Sequence, residues 1–180
     1  MIRVLEAAMS REEALKKLTP AGPANVLRHM LHGPLIGLCD VYIPYRLYKI
    51  TIENRGARSL RFLAVDAVAG TLDPYEFPHP PAVDKFEEIE TRNFLSEWLP
   101  EEQTRATVLG RSRRLLFSGG FFRLANPVIT AEFLGPEFHV PYWAGFYGSQ
   151  RNVKVIMLDA VRRTTEGARV SEVVKAWLRH

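Results

Sequence analysis

VYIPYRLYKITIENRGARSLRFLAVDAV, residues 41 to 68, reads as a β-hairpin. Tyr48, Ile50 and Ile52 alternate with Lys49, Thr51 and Glu53, the period of two of a strand with one covered side. Asn54-Arg55-Gly56 follows as turn chemistry, with Gly56 able to take a positive φ. SLRFLAVDAV (59 to 68) returns as a second alternating run. Pro44 lacks the N–H that a ladder needs and holds Ile43 extended, so this reading puts Pro44 at the strand's start. Tyr45 then begins the buried stretch.

The pattern recurs downstream. HVPYWAGFYG (139 to 148) repeats Pro-Tyr at Pro141 and Tyr142, and NVKVIMLDAV (152 to 161) repeats the run into Asp-Ala-Val. The shorter second turn, GSQR against ENRGARS, accounts for the difference in length. SREEALKKL (10 to 18) and PEEQTRATVL (100 to 109) are matching charged helical starts. VLRHMLHG (26 to 33) and RRLLFSGG (113 to 120) are basic-apolar segments that end in glycine. FEEIETRNFLSEWL ends on Trp98 and Leu99, and ARVSEVVKAWL on Trp177 and Leu178, each reading as a closing helix with a buried tryptophan. Four prolines make DPYEFPHPP (73 to 81) an inserted extended loop. These matches predict an α+β fold in one compact domain, 1–180, of two tandem pseudo-repeats, A over 10–99 and B over 100–180. Each repeat would hold helices, an antiparallel hairpin and a closing helix, with Trp177 superposing on Trp98.

A helix opened by acidic residues and Ala, followed by a hairpin whose last strand runs into Val-Asp-Ala and a glycine, resembles the PepSY module. The matching residues are SREEA (10 to 14), LYKITIE (47 to 53) and FLAVDAVAG (62 to 70), with PEEQ (100 to 103) and VIMLDAV (155 to 161) in the second half. The resemblance implies a small α+β unit associated with inhibiting or chaperoning peptidases. The extra helix before each hairpin departs from that pattern.

With 47% apolar residues in 180, the chain can bury a core without staples. Cys39 is the only cysteine, which excludes an internal disulfide and a thiolate zinc cluster and fits a reducing compartment. Charges interrupt MIRVLEAAMSREEALKK where a leader would be apolar, and no apolar run is long enough to span a bilayer, so the expectation is a cytoplasmic protein with no membrane partner. Residues 1–99 carry 12 basic and 13 acidic side chains and residues 100–180 carry 12 and 7, so the second half is basic.

Asp66 and Asp159 close equivalent strands. They could form an acid–base pair between the repeats, but an Asp in this position more often accepts N–H bonds from the following turn. Tyr45, Tyr142 and Trp143 could contact a ligand, although aromatics near strand ends more often belong to the core. His29 and His32, three apart on a helix, with Cys39 and Asp40 after the Gly33-Pro34 break, could form a soft metal site, but they fit established ligand spacings poorly and ordinary surface or core histidines are the default. His79 and His180 have no local partner. Arg105 and RSRR (111 to 114), with Phe121, Phe122 and Arg123, interleave arginine and aromatic residues as nucleic-acid surfaces do, and Arg111 and Arg114 share a helix face. A solvated helix is the commoner explanation. No nucleophile elbow or P-loop occurs, and Gly119-Gly120 is too bare to hold phosphate. The expectation is therefore a non-enzymatic binding or regulatory module for a protein or peptide, one route being an exposed edge strand that takes up an extended segment. No catalytic, cofactor or metal residue is assigned. The alternatives are a binder of acidic ligands or nucleic acid through the C-terminal half, and an enzyme with a site between the repeats.

Overall fold

The computed structural model describes residues 1–118, 127–149 and 152–178. In chain order the elements are β1 (Ile2–Leu5), α1 (Arg11–Leu18), α2 (Pro23–His32), β2 (Leu35–Asn54), β3 (Ala57–Asp66), β4 (Tyr75–Phe77), β5 (Phe86–Ile89), α3 (Glu101–Ser118), β6 (Val128–Phe133), β7 (Phe138–Ser149), β8 (Asn152–Asp159), β9 (Thr164–Thr165) and α4 (Ala168–Trp177). Contacts divide them into two compact units, and β2 runs from one into the other.

The first unit comprises Met1–Ile43, Phe86–Leu95 and His139–His180. Its α1 begins at a capping box: Ser10 Oγ accepts from the Glu13 N–H (3.3 Å) and Glu13 Oε2 from the Ser10 N–H (3.0 Å). Ala14 and Leu18 of this helix pack with Met9, Tyr147, Leu158 and Ala160. Gly145 makes room for Leu18, because a Cβ there would lie 2.8 Å from Leu18 Cδ1. β7 and β8 pair from Tyr142↔Asp159 to Ser149↔Asn152. β5 pairs antiparallel with β1, and Ile2, Val4 and Tyr42 make a second small core.

The capping box gives a test of this unit. The Glu13 carboxyl is held below its ordinary range, first by the Ser10 N–H and then by Arg163, whose Nη2 lies 2.5 Å away. A carboxyl lowered by folding contributes stability that is complete above its unfolded pKa and is lost as pH falls through the folded one. Separately, Ser10→Ala removes the Oγ that accepts from the Glu13 N–H and should cost about 1 kcal/mol. Glu13→Gln should lower Tm at pH 7 and change nothing below the lowered pKa; thermal melts across that range check both.

The second unit comprises Pro44–Lys85 and Ser96–Phe138. Here β2 pairs with β3 from Tyr45↔Asp66 to Asn54↔Ala57, β6 lies on the other side of β2, and β4 lies on β3. Tyr48, Ile50, Ile52, Leu63 and Val65 pack under Val108 and Leu116 of α3. The Tyr48 hydroxyl meets Thr104 Oγ1 at 2.6 Å, and burial pushes its pKa up. Arg46 is buried, with Nη2 on Glu97 (2.9 Å), Nη1 on the Leu99 carbonyl (2.6 Å) and Nε on Glu137.

The architecture corrects the expectation of two tandem pseudo-repeats. Among the described residues nine strands are hydrogen-bonded in one mixed sheet, with four helices. The hairpins do share a register, Tyr45↔Asp66 and Tyr142↔Asp159, but their settings differ. Two helices precede the first, whereas α3 and β6 precede the second. FEEIETRNFLSEWL is not a helix: Phe86–Ile89 is a strand, because β1 supplies the hydrogen bonds that a helix would have made internally. Trp98 lies in a loop and is 48% exposed, so it is not the equivalent of Trp177, which ends α4 half-buried. Ser171 of α4 is buried. The 73–81 loop contains β4, whose three residues fit between its prolines.

Pro44 and Pro141 lie inside β2 and β7 rather than at their starts. Each immediately precedes the first pair of its hairpin and uses only its carbonyl, which accepts from Ala67 N–H (2.9 Å) and Ala160 N–H (3.1 Å) respectively. Proline is tolerated there because the ladder with the partner strand asks it for no donor.

Candidate interaction surface

The sequence-predicted site residues are mostly structural. Tyr45 is fully buried, its ring edge-on to Tyr75 and stacked on Phe138 at centroid distances of 5.3 and 6.5 Å. Tyr142 is buried, and Trp143, half-buried, donates through Nε1 to the Met9 carbonyl at 3.1 Å. Asp66 accepts from the N–H groups of Ala69 (2.6 Å), Gly70 (2.8 Å) and Leu72 (2.9 Å). Arg111 Nη2 holds the same turn by its carbonyls, those of Gly70 (3.1 Å) and Leu72 (2.8 Å). Asp159 accepts from Val161 and Arg162, both at 2.8 Å. Arg114 is exposed, with Nε 3.4 Å from the Gly110 carbonyl. The expected Gly119-Gly120, Phe121, Phe122, Arg123 and His180 lie outside the described residues.

Asp40 accepts from the Tyr42 hydroxyl (2.9 Å) and from Asn93 Nδ2 (3.0 Å). Burial, and then that bond, raise the tyrosine's pKa, while burial followed by the Asp40 charge raises that of the Cys39 thiol. His29 is exposed on α2 and His79 in its loop. Among the described residues, no group of three or more His, Cys, Asp or Glu side chains is placed to hold a metal ion. Nor is any helix there long and apolar enough to cross a membrane.

Sequence reasoning missed the orientation of α2. This helix starts at Gly22 and Pro23 without a side-chain cap, proline being preset for the first helical position. It stops at Gly33, where φ is 80° and the N–H bonds the His29 carbonyl at 2.8 Å. A Cβ at Gly33 would lie 2.9 Å from the Cα of Gly148, so two glycines set how closely the helix end approaches β7.

The face that α2 turns toward its own unit is polar. Arg28 Nη1 donates to the carbonyls of Lys17 (2.8 Å) and Leu18 (3.0 Å), satisfying the open end of α1. The Leu18 carbonyl also accepts from the Tyr147 hydroxyl at 2.6 Å. The His32 ring meets Tyr147 edge-on, with centroids 6.1 Å apart.

Val26, Leu27, Met30 and Leu31 form a continuous apolar stripe on the opposite side, and each is 59–80% exposed. Ile36, at the start of β2, is 51% exposed as well. A surface helix ordinarily buries such a stripe, and full burial of a Leu or Met is worth about 1.5–3 kcal/mol. Here it faces outward. The spacing was visible in PANVLRHMLH; which side would face the protein depends on carbonyls of α1 and a tyrosine of β7, both remote in sequence.

No family model, curated protein or solved structure matches the chain.

Proposed function

We propose that this chain is a non-enzymatic interaction module that docks a protein partner through the apolar face of α2. The observation that carries this reading is the inverted helix: Arg28 and His32 are used inward while Val26, Leu27, Met30 and Leu31 are presented outward. Exposed apolar stripes of this kind mark interaction sites, and a helix that presents i, i+1, i+4 and i+5 anchors suits a hydrophobic groove. A protein partner is also what the PepSY resemblance implies. The cytoplasm is the proposed setting, supported by Cys39 being the only cysteine.

A photo-reactive residue placed at Met30 should form a defined protein adduct in cells, whereas the same group at Glu102, exposed on α3, should not. The double variant Leu27→Glu with Met30→Glu should lose the partner while keeping stability within about 0.5 kcal/mol, because both positions are exposed. Absence of any adduct at Met30, or a partner retained by the double variant, would remove this reading. Binding to anionic vesicles without a protein adduct would replace it with a membrane surface.

A further inference from the structure

From an independent feature of the second unit, we infer that the free margin of β3 is a strand-addition site for an extended, carboxylate-bearing peptide segment. β4 covers β3 only at Phe62↔Phe77, Leu63↔Glu76 and Ala64↔Tyr75. Pro78, with no N–H to offer, follows Phe77, while β3 extends back to Ala57. The two-residue turn Arg55-Gly56, with φ of 49° and 80°, makes Asn54 and Ala57 a pair that exchanges both backbone bonds. Antiparallel pairs alternate, so Ala57, Ser59 and Arg61 bond to β2, and Arg58 and Leu60 aim their N–H and C=O groups the other way. The same alternation puts Phe62 and Ala64 on β4, as observed. Among the described residues, no hydrogen bond engages the backbone of Arg58 or Leu60.

A hollow of about 860 Å³ runs along this margin. Its walls come from both faces of the sheet: Ile52, Ser59 and Leu116 on the side of α3, and Leu60 and Phe77 on the other. The space therefore lies at the edge of β3. Unpaired donors and acceptors at strand spacing are matched by the backbone of another extended chain. The apolar walls on either side would receive that chain's alternate side chains. Arg55, Arg58 and Arg61 flank the margin against Glu53, 3.8 Å from Arg58, and Glu76, 3.0 Å from Arg61. The excess of one cation favours a segment that brings carboxylates.

The probe is a fluorescent peptide of about eight residues that alternates valine and glutamate, titrated against the full chain by polarisation. Binding is expected, with loss of about tenfold or more (~1.4 kcal/mol) when every internal amide nitrogen of the peptide is methylated. Leu60→Pro should lose binding to the same extent and Leu60→Ala much less, since only proline removes the N–H. Should Leu60→Pro fail to fold, amide exchange in the unaltered chain decides the matter: saturating peptide should slow exchange at Arg58 and Leu60 and leave Ser59 and Arg61 unchanged. The Leu27→Glu, Met30→Glu variant should bind the peptide as the unaltered chain does, so failure here is separable from failure of the α2 reading. The site is overturned by no binding up to about 1 mM, by equal affinity for the methylated peptide, or by protection that appears elsewhere.

Discussion

Replacing Arg46 with methionine is expected to cost about 3 kcal/mol at neutral pH, the low end of the range for a buried ion pair broken on one side. The guanidinium sits between Glu97 and Glu137 with only 8% of its side chain exposed, and it also satisfies the Leu99 carbonyl. Methionine fills much of the volume but leaves two carboxylates together without their cation. Their side chains are 35% and 26% exposed, so water relieves part of the penalty, which is why the low end applies. Arg46→Lys should recover little, because an ammonium cannot reproduce the planar fork that spans three partners. Adding Glu97→Gln and Glu137→Gln to Arg46→Met should return most of the loss. Urea unfolding of the four proteins checks the ranking; a loss under about 1 kcal/mol for Arg46→Met would show the network to be incidental.

Asp66→Ala should be at least as damaging, on the order of 3–6 kcal/mol, since it strands up to three N–H groups at once and each buried unpaired donor costs about 1–3 kcal/mol. The turn is clamped from both sides: Gly70 and Leu72 give their N–H groups to Asp66 and their carbonyls to Arg111. Asp66→Asn keeps the oxygen that serves Ala69 and Gly70 but turns an amide NH₂ toward the Leu72 N–H, and should fall between Asp66→Ala and the unaltered chain. Because the two side chains grip the same residues, the Asp66→Ala, Arg111→Ala pair should be strongly non-additive. Additive losses in chemical denaturation would show that the carboxylate and the guanidinium act on separate structures.

The hairpin of residues 45–66 was legible because everything that makes it is local: a period of two, a tight turn and an Asp that bonds its own next residues. The strand at Phe86–Ile89 was not. Phe86 and Ile89, three apart, imitate a helix face, and only the pairing with Ile2–Leu5, at the far end of the chain, reveals the strand. Trp98 misled for a related reason. At that point the fold holds the backbone, through N–H bonds from Trp98 and Leu99 to the Ala67 carbonyl, and leaves the indole half in solvent. Arg46, Glu97 and Glu137 are dispersed over 91 positions, so no window of sequence joins them. Arg111 looked like part of a basic site because its carbonyl partners, some 40 residues away, cannot be anticipated from RSRR.

The first unit is built from the two ends of the chain: Met9 on Trp143, Lys17 on the Arg163 carbonyl, Leu18 on Tyr147. The second unit draws only on residues 44–138. On the ribosome, where chains emerge at roughly 5–20 residues per second, the second unit has all its parts available before β8 is made. The first does not. Helices α1 and α2 leave the tunnel before β2, yet β7 and β8, against which α1 packs, are made only after β2 to β6. Until then Ala14 and Leu18 of α1 stay without their partners, and the closure of a very long loop still lies ahead. The order of synthesis is thus opposed to the order of assembly in this unit, and the nascent segment that carries α1 needs protection while it waits.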